Sequence, residues 1–206
     1  MISGQEALTR LREGNRRFVA SLREPTMPGR AVQLAPKDWQ EPFAIILGCS
    51  DSRVPAELVF DLGFGDLFVI RVAGNIVAPS QVGSVEFAAA RFGTRLAVVL
   101  GHTHCGAISA TLDQLRQPTP AVSPNLRYIV SCIRHSVEPL LLESPDADPA
   151  TLAAEAVRAN IRLSADHLRH GSDVLEGLVR REGLLIVGAE YHLETGVVDF
   201  FDGVPD

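Results

Sequence analysis

The sequence predicts a single α/β domain, a central and mostly parallel β-sheet flanked by helices and preceded by an N-terminal helix and arm. Three observations predict it. Four short runs, "FAIILG" (43–48), "LFVIRV" (67–72), "RLAVVLG" (95–101) and "LLIVGA" (184–189), are rich in Val, Ile and Leu and do not alternate apolar with polar. Strands of that kind are buried on both faces, as in a parallel sheet covered by helices. Helical patterns lie between these runs. The chain has 206 residues, 46% of them apolar, which suits one domain with a core that needs no disulfide support.

Each element can be justified in chain order. Residues 4–20 place Ala7, Leu8, Leu11, Phe18 and Val19 at helical spacing. "REPTMPGRAVQLAPKDWQEP" (23–42) carries four prolines and a glycine, so it reads as an arm or long connection. Residues 1–42 are therefore expected to form the N-terminal helix and arm, and 43–206 the α/β core. "SQVGSVEFAAARFG" (80–93) puts Val82, Val85, Ala89 and Phe92 on one helical face, with Gly93 as a stop. Residues 124–143 and 149–170 read as two more helices, separated by "SPDADP" (144–149), and Pro149 suits a first turn. "GVVDFF" (196–201) reads as a last strand at a sheet edge.

Composition narrows the function. The net charge is −6, and the Arg pairs at 16–17 and 180–181 lie beside acidic residues, so no basic face for nucleic acid is expected. No apolar run approaches the roughly 20 residues of a membrane span. The opening "MISGQEALTRLREGNRRF" lacks the apolar stretch of a secretion signal, and a soluble, cytoplasmic protein is the expectation. Three cysteines, an odd number, argue against a disulfide framework and toward metal binding or catalysis.

The polar residues at the strand ends carry the chemistry. The first run leads at once into Cys49, Asp51 and Arg53, and the third into His102, His104 and Cys105. Ligands of open α/β sheets bind beyond the carboxyl ends of the strands. Cys49, His102 and Cys105 form a zinc-type ligand set, and the spacing His102-x-x-Cys105 lets one tight turn deliver two of the three. His104 is expected to point away, as a surface histidine. Cys132, in "YIVSCI", is expected to be a small buried hydrophobe of a helix. Three protein ligands leave a fourth position, and Asp51 has two possible uses there. It can bind the metal and close the site, or Arg53 can hold it off. In the open arrangement the metal would lower the pKa of a water from 15.7 to about 7, and an ionised Asp51 would accept a hydrogen bond from it.

"CSDSRV" (49–54) followed by "GHTHCGA" (101–107) resembles the β-class carbonic anhydrases. "LREGNRRFV" (11–19), "GDLFVIRVAGNIV" (65–77), "GSVEFAAARFG" (83–93) and "LLIVGAEYHLETGVVDFF" (184–201) resemble family segments in family order, so the likeness covers nearly the whole chain. The resemblance implies reversible hydration of CO2 to bicarbonate and a proton, by attack of zinc-bound hydroxide. It implies one Zn2+ per subunit on Cys49, His102 and Cys105, with Asp51 either ligating or paired with Arg53. It implies a homodimer, in some members a homotetramer. It further implies that Gln40 bonds substrate oxygen, that Phe68, Phe87 and Ala73 form an apolar wall, and that Gly106 lies close beside the site as a backbone donor. The wall can come from the partner subunit. Arg71 matches the arginine of a non-catalytic bicarbonate pocket that some members carry, but Ile46 stands where that pocket has tryptophan. Bicarbonate is therefore not expected to hold this enzyme closed. Two other readings keep the same residues: hydrolysis of CS2 or COS, and a non-catalytic module whose zinc is permanently closed by Asp51.

Overall fold

The computed structural model describes residues 2–22, 40–118 and 123–205. Five strands, β1 (Ala44–Gly48), β2 (Leu67–Arg71), β3 (Leu96–His102), β4 (Leu185–Tyr191) and β5 (Val198–Asp202), form one sheet in the order β2-β1-β3-β4-β5. The first four run parallel, and β5 pairs antiparallel with β4 at the edge. The helices are α1 (Gly4–Ser21), α2 (Ala56–Val59), α3 (Pro79–Arg91), α4 (Gly106–Arg116), α5 (Pro124–Glu143), α6 (Pro149–His170) and α7 (Asp173–Glu182), with a 3-10 turn at Ala73–Asn75. Every strand and helix expected within the described residues is present, with ends shifted by up to two residues. Most of the proline-rich arm expected over 23–42 lies outside the described residues.

The period-two geometry of β1 sorts its side chains between two cores. Ile45, Leu47 and, just past the strand, Cys49 join the larger core with Val85 of α3, Ile133 of α5 and Ile161 of α6. Ala44 and Ile46 join the smaller core with Leu8 and Leu11 of α1 and Phe60 after α2. Both faces of the strand are covered, which is why its sequence shows no polar alternation. This sorting also settles where Cys49 goes: its sulfur continues the larger core rather than facing solvent.

Helix α6 lies close on the sheet because two glycines make room for it. A Cβ at Gly101 of β3 would sit 2.6 Å from both Cδ1 and Cγ1 of Ile161, and one at Gly188 of β4 would sit 2.8 Å from its Cγ2. Ile161 is fully buried between them. Caps fix the helix starts. Ser3, Ser123, Asp148 and Ser172 each accept a backbone N–H of the first turn of α1, α5, α6 and α7. Asn15 locks α1 in place: its amide donates to the carbonyls of Val59 and Gly196 at 3.1 and 2.9 Å, and its oxygen accepts from Val198 N–H at 2.9 Å.

Candidate metal centre

The carboxyl ends of β1 and β3 are neighbours, because these strands pair in parallel with Gly48 opposite Leu100. The residues that follow are thus delivered to one place. His102 ends β3, Thr103 and His104 turn the chain, and Cys105 caps the start of α4. The turn requires His104 to take φ 55°, a left-handed conformation that L residues visit mainly singly. It sends the His104 side chain out to solvent, where Nε2 pairs with Glu194 at 2.6 Å. His102 and Cys105 point inward instead.

Cys49, His102 and Cys105 are buried, and their ligand atoms all lie within 4.8 Å of one another. The two sulfurs are 3.9 Å apart. Two zinc–sulfur bonds of about 2.3 Å at a tetrahedral angle would set their sulfurs about 3.8 Å apart, so the fold supplies the spacing that such a metal needs. The imidazole is oriented to match. His102 Nδ1 lies 2.8 Å from the Thr103 carbonyl and donates to it, which leaves a lone pair on Nε2. That nitrogen is buried without a hydrogen-bond partner. An orphaned, buried acceptor is costly unless something else takes its lone pair, and a metal ion does so.

The thiols already share one proton unevenly. The hydrogen bond from Cys105 is the largest influence on Cys49 and, against the penalty of burial, brings its pKa down to about 4. The same bond, together with burial, pushes the Cys105 thiol far above its usual range. The shared bond thus favours a thiolate on Cys49 and a thiol on Cys105.

Asp51 is gripped by Arg53. The guanidinium donates from Nε to Oδ1 at 2.9 Å and from Nη2 to Oδ2 at 2.8 Å, while the Arg53 backbone N–H adds a bond to Oδ1 at 3.0 Å. This fork holds the carboxyl well below the ordinary carboxylate range. Of the two uses open to Asp51, the geometry has the carboxylate on arginine, with Oδ2 still 3.8 Å from His102 Nε2. Arg71, at the end of β2, donates from Nε to the Cys49 carbonyl at 2.9 Å and from Nη2 to the Asp51 carbonyl at 2.5 Å. The sequence reading missed this use of Arg71, because nothing in the residue type shows which backbone groups it will meet.

The remaining expected residues divide by position. Ala73 and Gly106 lie near the cluster, in the turn that follows β2 and in the residue after Cys105. A Cβ at Gly106 would meet nothing within 4 Å, so the close backbone approach expected there is not found within the chain. Phe68 is opposite Ile45 in the parallel register, four residues before Cys49. At about 3.3 Å per residue that is roughly 13 Å along the strand. Phe68 instead stacks with Phe87 and Phe92, at centroid distances of 6.2 and 6.1 Å. Gln40 is exposed and precedes the amino end of β1, the end opposite Cys49. Within one chain, then, Gln40, Phe68 and Phe87 do not line the cluster. Cys132 is half-buried rather than buried, on the wall of a cleft of about 930 Å³ between α3, α5 and α6.

A mostly parallel α/β sheet whose strand ends bring two thiols and one free imidazole nitrogen together offers three ligands that could hold a metal ion. The carbonic anhydrase family model matches residues 44–198. Carbonic anhydrase 2 of Mycobacterium tuberculosis is 34% identical over 188 residues, covering 90% of this chain and 87% of that protein. A carbonic anhydrase of Mycolicibacterium smegmatis is 36% identical over 191 residues, covering 92% and 89% respectively. The crystal structure of the β-carbonic anhydrase CafA of Aspergillus fumigatus superposes with a TM-score of 0.72 at 25% identity, covering 81% of this chain and 78% of that one. The chain belongs to the carbonic anhydrase family, in its β class.

Proposed function

We propose that this chain catalyses the reversible hydration of carbon dioxide to bicarbonate and a proton, with one zinc ion held by Cys49, His102 and Cys105. The observation that carries this reading is the buried three-ligand cluster beside a carboxylate already committed to arginine. A zinc ion held there would supply a Lewis acid that brings a water's pKa toward about 7.

The chain's own residues do the rest. Asp51, kept ionised by Arg53, can only accept hydrogen bonds. Held beside the cluster, it would accept a hydrogen bond from the attacking water and so turn a lone pair of that oxygen toward CO2. Arg53 acts as the positioning partner that stops Asp51 from becoming a fourth ligand, which speaks against a permanently closed, non-catalytic site. The Gly106 N–H, in the first turn of α4, has no acceptor within its helix. It provides a donor for charge developing on a substrate oxygen, reinforced by the helix dipole.

We propose further that the functional unit is a homodimer, with a homotetramer as a larger form. Phe87 is 53% exposed, on an aromatic cluster beside the edge strand β2. A second copy would cover this surface and bring its own Phe68, Phe87 and Gln40 toward the facing site. Among the described residues no helix is long and apolar enough to cross a membrane, which accords with a soluble enzyme working in the cytoplasm. Stopped-flow CO2 hydration on protein of measured zinc content tests the central reading. Turnover proportional to zinc supports it, and zinc-loaded protein without turnover from pH 6.5 to 9 overturns it.

A further inference from the structure

We propose that Arg71 is a positioning residue of the metal centre, a clamp on the backbone of the loop that presents Cys49 and Asp51. The inference rests on the zinc site proposed above and extends it to a residue outside the ligand set.

The sheet itself stops just short of this loop. Gly48 pairs with Arg71 as the last register of β1 and β2. Two further bonds, Val72 N–H to the Gly48 carbonyl at 3.1 Å and Ser50 N–H to the Val72 carbonyl at 3.2 Å, carry the ladder as far as Ser50. Beyond that point the chain leaves the sheet; the Cys49 carbonyl needs a donor from elsewhere, and the Asp51 carbonyl, which accepts the Val54 N–H at 3.1 Å, has a second lone pair to fill. Arg71 supplies both from one planar group, Nε to Cys49 at 2.9 Å and Nη2 to Asp51 at 2.5 Å.

That arrangement uses what is particular to arginine. A guanidinium presents donors along one rigid edge, so two carbonyls spaced two residues apart are fixed relative to each other. The bonds are charge-assisted and stronger than neutral ones. The same short stretch carries the Cys49 Sγ and the Asp51 carboxylate, and both reach the cluster, Sγ within 4.8 Å of the other ligand atoms and Oδ2 3.8 Å from His102 Nε2. Asp51 is thus held at both ends, its side chain by Arg53 and its backbone by Arg71. Released from Arg71, the loop would let the Cys49 sulfur drift from its 3.9 Å separation from Cys105. It would also loosen the register in which Arg53 meets Asp51.

The test compares zinc-loaded wild type, Arg71→Ala and Arg71→Lys by zinc transfer to a chromophoric chelator, alongside CO2 hydration. Partners that orient ligands typically contribute 10–100-fold in metal affinity or activity. Arg71→Ala is expected to give up zinc about 10–100-fold more readily, and millimolar guanidinium ion is expected to restore part of that retention. Its kcat should fall with KM little changed. Arg71→Lys, with one compact ammonium for two carbonyls, should fall between the two. Zinc transfer from Arg71→Ala within twofold of wild type overturns the proposal, as does a loss that guanidinium does not relieve. If Arg71→Ala does not fold, Arg71→Lys decides alone, and wild-type zinc retention in it counts against the clamp. A wild-type protein that binds no zinc would sink the proposed function instead, before any variant is read.

Discussion

At the scale of single residues, one guanidinium and a metal ion would compete for the same carboxylate. Arg53 wins it in this structure through a two-bond fork on Asp51. Arg53→Ala is expected to keep close to one zinc per chain yet lose at least 100-fold in kcat, because the freed Asp51 closes the fourth position. Metal analysis beside turnover checks this, and loss of zinc in the variant would show that Arg53 acts mainly on the fold. The thiol pair gives a second expectation, and its sign follows from the two opposed shifts. Cys49 is lowered to about 4, so at pH 7 it is already ionised. Cys105 is raised, so it still holds its proton there. A metal needs both as thiolates. Loading zinc at pH 7 should therefore release at least one proton per chain, from Cys105 and from whatever fraction of His102 its raised pKa keeps protonated, and zinc affinity should weaken as pH falls, because protons compete for the same three ligands. Calorimetry in two buffers of different ionisation enthalpy measures the proton count, and a count near zero would contradict the assignment.

At the scale of elements, the position of α6 depends on two absent side chains. Ile161 fills the space left by Gly101 and Gly188, and being fully buried it cannot swing aside. Gly101→Ala should destabilise the fold by about 1–3 kcal/mol through overpacking, read as a lower urea midpoint at an unchanged slope. Stability equal to wild type would mean that α6 has slack. The elements that the sequence made legible are those with a strong periodic signal: four unbroken apolar runs for the parallel strands, and long amphipathic stretches for α1, α5 and α6. Three helices were not singled out, the first being the single-turn α2 (Ala56–Val59), too short to show a period. In α4, "GAISATLDQLR" offers mostly small residues after its opening Gly106, so its apolar stripe of Ile108 and Leu112 is thin. In α7 only Leu175 and Leu178 are buried among its larger apolar residues. The candidate ligands were legible because cysteine and histidine at strand ends have few bland uses. The roles of Gln40, Phe68 and Phe87 were not, since register and strand direction decide which end of the sheet a side chain occupies.

At the scale of the whole molecule, one chain brings its three candidate metal ligands together but not its expected substrate wall. The sheet ends at β2 on one side, and the aromatic cluster of Phe68, Phe87 and Phe92 lies against that edge. Phe87 is the exposed member of this cluster, and among the described residues β2 has no strand beyond it, the kind of surface that protein interfaces use. With a second copy as that partner, Phe87→Glu should shift the protein toward monomer in light scattering and lower turnover while zinc stays bound. A variant that remains dimeric and fully active would place the interface elsewhere.

The left-handed turn at His104 has a consequence for how substitutions are tolerated along the chain. Between two metal ligands one would expect the spacer to be free to vary, since its side chain faces water. Its backbone is the constrained part, at φ 55°. A saturation library at this codon, selected for growth that requires the activity, should keep Gly, Asn, Asp and His and reject Val and Ile, whose branched side chains do not sit at positive φ. Free acceptance of Val and Ile would mean that the turn reshapes at little cost. Otherwise, the middle of the ligand motif is under selection for the path of the chain, and the imidazole now there is one of several side chains that permit it.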